Sequence, residues 1–306
     1  MALAVREPCS SVDLGEIRML PAPFEYHRPS SLDEAVQLLS SLDEAKVLAG
    51  GQSLIPLLKF RFAAPAHLID VNRIPGLDGI REDGGSLRIG ALVRHNQMAG
   101  SDLISARYPT LAAAAPQIAD PIVRNLGTVG GSLAHADPAG DWGSVMLAVG
   151  GSVVAQGARG EREIPIADFL QDIFTTSLSS DEILTEVRVP APGPRTGGAY
   201  LKLERKVGDF ATVAAAVYVS MEDGTIGQAG IGLTAVGTKN IQPAEAESAL
   251  AAKEPSEELF AEAGRLAAAA CHPVADVRGS AEYKRHVVEV FVRRGLARAV
   301  EMARAA

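Results

Sequence analysis

Apolar Leu32, Ala35, Val36, Leu38, Leu39 and Leu42 recur at helical spacing behind Ser31-Leu32-Asp33-Glu34. A serine at the N-cap and a glutamate three residues later form a capping-box signature, so a helix starts here. Residues 24–28, closed by Pro29, read as a short strand, and residues 46–49 as a buried one. Gly50-Gly51 then turns the chain, Ser53 is placed to cap, and residues 54–62 continue as a helix that tolerates Pro56 in its first turn. Residues 67–71 make the next strand. Strand, helix, strand, helix, strand over 24–71 predicts a small α/β unit.

Further along, Asp83-Gly84-Gly85 separates two apolar runs and predicts a hairpin. Residues 95–100 and 111–119 read as helices, and 127–141, dense in Gly, Pro and Asp, as a loop. An apolar helix is expected over 142–149, with Asp141 as an alternative N-cap, then strands over 151–156 and 182–189. Glu161-Arg162-Glu163 and Asp181-Glu182 read as solvated turns. Pro190, Pro192, Gly193, Pro194, Gly197 and Gly198 mark the clearest boundary in the chain. Beyond it, strands are predicted over 200–205, 212–221 and 227–236, the last two joined by Glu222-Asp223-Gly224. Helices are predicted over 244–252, 256–270 and 281–305. The last is amphipathic, with Arg293, Arg294, Arg298 and Arg304 on its exposed side. Strands followed by helices make this part α+β.

Composition narrows the function. The chain has 306 residues, enough for two or three packed units, and no apolar run approaches the roughly 20 residues of a membrane span. A net charge of −8 argues against a nucleic-acid surface. Two cysteines, Cys9 and Cys271, exclude a disulfide framework and cannot by themselves hold an iron–sulfur cluster. The six histidines show no metal-ligand spacing, so no metal is expected. Residues 1–21 carry charges without an apolar core and read as a flexible extension rather than a secretory signal, which points to the cytoplasm.

Two glycine-centred segments carry the candidate chemistry. In the first, a strand runs through Ala49, Gly50, Gly51, Gln52 and Ser53 into a helix beginning at Leu54. Glycine lets backbone amides approach a ligand, and a helix N-terminus adds free amides and partial positive charge, a combination that binds phosphate. A plain strand–turn–helix connection explains the same residues. The second, about 75 residues on, is Thr128-Val129-Gly130-Gly131-Ser132, followed by Asp137 and Asp141. It offers hydroxyls, adjacent glycines and carboxylates able to accept from ribose hydroxyls; an irregular surface loop is the alternative. Two such loops without GxGxxG or GxxxxGK[ST] point to a dinucleotide site outside the Rossmann and P-loop families. Gly51→Val or Gly130→Val is then expected to expel the cofactor with little loss of fold.

These segments resemble the FAD-binding medium subunit of the molybdenum hydroxylases, the family of aerobic carbon monoxide dehydrogenase and xanthine dehydrogenase. The matching motifs are Ala49-Gly50-Gly51-Gln52-Ser53-Leu54-Ile55-Pro56, Ala119-Asp120-Pro121-Ile122-Val123-Arg124-Asn125, Gly127-Thr128-Val129-Gly130-Gly131-Ser132-Leu133-Ala134-His135-Ala136-Asp137-Pro138 and Lys202-Leu203-Glu204-Arg205-Lys206-Val207-Gly208-Asp209-Phe210-Ala211. The similarity spans about residues 22–304, nearly the whole chain. The resemblance implies an α+β chain: a two-subdomain FAD-binding domain of the PCMH, vanillyl-alcohol oxidase-like type over 22–192 (subdomains about 22–75 and 76–192), then a C-terminal domain over 196–304 with a three-stranded antiparallel sheet packed on helices.

The resemblance also implies roles. Ala49, Gly50, Gly51, Gln52, Ser53 and Leu54 would hold the FAD diphosphate from one side, and Thr128, Val129, Gly130, Gly131 and Ser132 from the other. Asp141 would meet the ribose or ribityl hydroxyls, and Lys202 the pyrimidine edge of the flavin. Phe210 would lie against the isoalloxazine face, unless it packs in the core. The implied partners are a molybdopterin-containing large subunit and a 2Fe-2S small subunit, assembled as a dimer of heterotrimers that reaches the membrane's inner face only through the complex. FAD would relay electrons from the iron–sulfur subunit to quinone, NAD or oxygen, with no catalytic side chain on this subunit. Gln52, Phe210 and Ser132 depart from residues common in relatives, which leaves the substrate open. A free-standing oxidase of a small alcohol, and a nucleotide-binding scaffold, are the rival readings.

Overall fold

The computed structural model describes residues 20–306; the rest of the expected N-terminal extension, with Cys9, lies outside the described residues. The first unit runs β1 (Glu25–His27), α1 (Leu32–Ser41), β2 (Ala45–Leu48), α2 (Leu54–Lys59) and β3 (His67–Asp70). Its strands pair in parallel in the order β1-β3-β2. The Ser31 hydroxyl accepts from the Glu34 amide at 3.2 Å, as the capping signature predicts. The Glu34 carboxylate instead reaches one residue further back, accepting from the Ser30 amide at 2.7 Å. Ala35 and Val36 of α1 pack on Ile69 and Val71, the small core that holds this unit together. Helix α2 ends at Lys59 rather than 62, because Arg61 turns into the left-handed region at φ +57.

The second unit is built on a sheet of β4 (Ile80–Asp83), β5 (Ser86–Gly90), β6 (Ser152–Gly157), β7 (Gly160–Pro165) and, at its centre, a later strand of residues 183–190. Between β5 and β6 lie α3 (His95–Ala99), α4 (Asp102–Arg107), α5 (Pro109–Ala114), α6 (Pro121–Leu126), α7 (Val129–His135) and α8 (Asp141–Val149). After β7 come α9 (Ile166–Phe169), β8 (Leu170–Asp172), β9 (Thr175–Thr176) and the central strand β10 (Ile183–Pro190). The order is β4-β5-β10-β6-β7, antiparallel throughout.

Two expectations fail here. Residues 127–141 are not one loop: Thr128 caps α7 by accepting from the Gly131 amide at 3.1 Å. Glu161-Arg162-Glu163 is not a turn but part of edge strand β7, where charged side chains are favoured. Nor is Glu182 merely solvated. Its carboxylate accepts from Arg162 Nε and Nη2, both at 2.7 Å, and that pairing pulls its pKa down to about 2.

The third unit comprises β11 (Thr196–Leu203), β12 (Val213–Glu222), β13 (Thr225–Thr234), α10 (Ala244–Leu250), α11 (Glu257–Ala269) and α12 (Ala281–Ala305). The strands form the expected three-stranded antiparallel sheet, β11-β12-β13. Its central strand is buried on both faces. Val213, Ala215, Val217 and Val219 meet α12, which exposes its arginines as predicted, while Ala214 and Ala216 join the core of the second unit. The Pro/Gly boundary is therefore a boundary in the chain but not in the packing. Helix α8 lies so close to β13 that a Cβ on Gly230 or Gly232 would sit 1.8 Å from the Ala148 or Ser144 carbonyl oxygen. Asn240 Nδ2 donates to the Gly140 oxygen at 3.2 Å, tying the start of α8 to the third unit.

Candidate functional site

The first glycine segment lies where β2 leaves the parallel sheet. Gly51 takes φ +73, a conformation glycine adopts without penalty. Residues 49–54 are all half-buried. Among the described residues, no acceptor is hydrogen-bonded to the amides of Gly50, Gly51, Gln52 or Ser53. Ser53 occupies the N-cap position of α2, but its side chain makes no capping bond. Four consecutive uncommitted N–H groups around a left-handed glycine make a concave nest for an anion. It sits at the carboxyl end of a parallel strand, where α/β sheets bind ligands.

The second segment meets the first directly. A Cβ on Gly50 would lie 2.4 Å from the Leu126 oxygen and 2.8 Å from Gly127 Cα. One on Gly131 would lie 3.7 Å from Ala49 Cβ. The amides of residues 129–132 are committed, however. Val129 donates to the Val93 oxygen at 3.0 Å, Gly130 to the Ala91 oxygen at 3.0 Å and Ser132 to the Thr128 oxygen at 3.0 Å. With the Gly131 amide spent on the Thr128 hydroxyl, the expected second amide cradle is not formed. Gly130 is glycine because a Cβ would lie 2.5 Å from Ala91 Cβ. What this segment offers a ligand is the half-buried Ser132 hydroxyl, the Thr128 hydroxyl proton and a surface without side chains at Gly131.

Residues absent from the sequence reading hold the two segments in register. Asn72 Nδ2 donates to the Ala49 oxygen at 2.8 Å and to Asp70 Oδ1 at 2.7 Å. Arg94 bridges the segments, its Nη2 donating to Asn72 Oδ1 and its Nη1 to the Leu126 oxygen, both at 2.6 Å. His95 packs under Gly127, donates its amide to the Gly127 oxygen at 3.1 Å and accepts from Trp142 Nε1 at 3.0 Å through Nδ1. Burial, with Arg124 and Arg94 nearby, lowers the His95 pKa to about 4, so the ring is neutral. No local motif marks Asn72, Arg94 or His95; their roles depend on partners far along the chain.

Asp141 does not cap α8. Gly140 holds that position, and the Asp141 carboxylate turns inward. It accepts from Tyr200 Oη at 2.5 Å and from Lys202 Nζ at 3.2 Å. Burial pushes its pKa up, against the pull of the Lys202 charge and the Tyr200 hydroxyl. Tyr200, wholly buried beside that carboxylate, is held well above its ordinary range and remains a donor. The Lys202 ammonium also donates to the Gln117 oxygen at 3.0 Å and lies 3.5 Å from Glu204 Oε2. Its charge is internally paired rather than free. Phe210 is 50% exposed, which removes core packing as its explanation. Its segment rests on the second motif region through Gly208, where a Cβ would approach the Asp120 amide at 3.0 Å.

Comparisons with known proteins place the whole chain in one family. Residues 22–192 match the family described as the FAD binding domain in molybdopterin dehydrogenase, and residues 198–299 the CO dehydrogenase flavoprotein C-terminal domain. The carbon monoxide dehydrogenase medium chain of Hydrogenophaga pseudoflava is 44% identical over 279 residues, covering 91% of this chain and 97% of that one. The 6-hydroxypseudooxynicotine dehydrogenase complex subunit alpha of Paenarthrobacter nicotinovorans is 41% identical, covering 94% and 97%. Among solved structures, the Hydrogenophaga pseudoflava carbon monoxide dehydrogenase lacking the Mo-pyranopterin moiety of its cofactor superposes with a TM-score of 0.90 at 44% identity, covering 92% of this chain and 99% of that one. Both halves of the chain are thus matched, in order and nearly end to end, and the chain belongs to the family of FAD-binding medium subunits of the molybdenum hydroxylases.

Proposed function

We propose that the nest at Ala49–Leu54 grips the FAD diphosphate and that this chain carries electrons between a 2Fe-2S small subunit and an external acceptor. The substrate is oxidised on a molybdopterin-containing large subunit. The observation that carries this reading is the row of amides at Gly50, Gly51, Gln52 and Ser53 with no acceptor among the described residues, packed against the second glycine segment. Amides with no protein acceptor are what a diphosphate needs and what a purely structural turn would avoid. The residues therefore fit FAD, which when bound supplies the exchange between one- and two-electron transfer. The chain's own work is to bind, orient and shield.

In this reading Thr128 and Ser132 donate hydroxyl hydrogen bonds across the cofactor from the nest, with Val129, Gly130 and Gly131 forming the wall beneath them. Asp141, oriented by Tyr200 and Lys202, accepts from ribose or ribityl hydroxyls. Lys202 acts on the pyrimidine edge from within that pair, and Phe210 offers its exposed ring to the isoalloxazine face. The two domains are assigned to 22–192 and 196–304, the complex to a cytoplasmic dimer of heterotrimers, and the acceptor to quinone, NAD or oxygen. No described helix is long and apolar enough to cross a membrane.

The test is flavin content. The full chain, purified alone or with its partner subunits, is expected to carry one FAD and to turn over no small alcohol unassisted. Gly51→Ala forces a Cβ into the left-handed region, at a cost of about 1–2 kcal/mol, and to 2.7 Å from the Ile55 side chain, so the backbone of the nest must shift. It is expected to lose FAD while remaining folded by circular dichroism. Stoichiometric FAD in that variant would overturn the assignment of the nest.

A further inference from the structure

At the other end of the parallel strands, away from the nest, the fold assembles three side chains that the sequence keeps apart. Glu25 and His27 lie two residues apart on β1 and so share a face. Parallel pairing sets Glu25 directly across from His67, the first residue of β3. His27 Nε2 lies 3.1 Å from His67 Nδ1, and Glu25 Oε2 lies 3.5 Å from His67 Nδ1 and 4.0 Å from His27 Nε2. We propose that Glu25, His27 and His67 form a binding site for one divalent transition-metal ion of the zinc type, with a fourth position open to solvent.

The spacing supports the proposal. Ligand atoms bonded at about 2.0–2.1 Å to a tetrahedral ion stand about 3.3–3.4 Å apart. The nitrogen pair is already within a few tenths of that separation. The longer carboxylate distance belongs to the most mobile member: the Glu25 side chain is 75% exposed and free to close, while the two imidazoles are about one-fifth exposed and held by the sheet. Two histidines and one carboxylate, with a position left for water, is an established zinc ligand set. Ligand spacing along the chain gave no hint of it, because the three residues come from two strands joined only through β3's register. The bound ion would staple β1, a strand of only three residues, to the centre of the sheet, where only backbone pairing and side-chain contacts now hold it.

The experiment uses tag-free full-length protein, stripped with a chelator and titrated with Co²⁺ as a spectroscopic probe. Saturation at one equivalent is expected, with visible d–d bands that Zn²⁺ then abolishes. His27→Ala and His67→Ala are each expected to weaken binding by more than the roughly 10- to 100-fold that loss of an outer partner costs. His27→Gln, which keeps a polar group in place, serves should the alanine variant fold poorly. Zn²⁺ is expected to raise the Tm of the wild type and not that of His67→Ala. FAD content is expected to match the wild type in all of these variants, which separates this site from the nest. A wild type without a saturable single site, or variants that bind Co²⁺ as the wild type does, would overturn the proposal.

Discussion

The two glycine segments look alike as sequence and differ as chemistry. Around Gly51 the amides have no acceptor among the described residues. From Val129 to Ser132 each amide is spent, on Val93, Ala91 or Thr128. In the first segment Gly50 admits the backbone of Leu126 and Gly51 makes the left-handed turn that leaves the amides open to a ligand. In the second, Gly130 admits the backbone of Ala91, and only the hydroxyls remain for a cofactor. A glycine pair flanked by a hydroxyl residue is thus not evidence of an anion site until its amides have been accounted for.

The largest test of this contrast is Gly130→Val. Three added carbons would have to displace Ala91 at the end of β5, where even a Cβ is too close. Overpacking of this kind is expected to cost about 3 kcal/mol or more. The FAD-free protein should show it as a large fall in denaturation midpoint. A variant that loses FAD at unchanged apo stability would instead make the two segments equivalent.

Acid comes next, and through His95 it acts on the second segment. His95 supports Gly127 as a neutral ring with a pKa of about 4. The unfolded chain takes up this proton below about pH 6.5, whereas the folded chain resists until about pH 4. Stability tied to His95 is therefore complete above pH 6.5, falls as pH drops through that window, and loses about 3 kcal/mol in all. Denaturation midpoints measured across the window should follow this slope, and His95→Phe should flatten it. An equal slope in the variant would assign the acid sensitivity elsewhere.

Arg94→Met should have an intermediate effect. It removes both hydrogen bonds that tie Asn72 to Leu126, at about 1.5–3 kcal/mol for bonds to a charged donor. Because the nest and the hydroxyl wall then lose their common reference, FAD affinity should fall together with Tm. Ser132→Ala is the smallest change. Its hydroxyl has no hydrogen-bond partner among the described residues, so Tm should hold while FAD affinity drops about 2- to 10-fold, the worth of one hydrogen bond. Equilibrium dialysis of the flavin would resolve the pair.

Much of the architecture was legible in local patterns. The capped helix at 31–41, the hairpin at Gly84-Gly85, the turn at Asp223-Gly224 and the 281–305 helix depend on periodicity and turn chemistry within a few residues, and each forms where expected. The failures share a different cause. Residues 127–141 looked like a loop because glycine and aspartate lower helix propensity, yet the Thr128 cap and the support of Ala91 and Val93 suffice for a short helix. Asp141 looked like a cap because it precedes an apolar helix. Its carboxylate turns inward instead, because Tyr200 and Lys202 arrive from β11 to receive it.

The amino-acid sequence alone determined the order of elements in the first and third units, the family and the position of a glycine turn after β2, since each depends on residues adjacent in the chain. Only the tertiary structure decided which backbone donors remain free, which carboxylates are buried, and that Glu25 and the two histidines share one face. A hydrogen-bond donor is spent or spare according to what the rest of the chain brings to it, and that information lies tens of residues away.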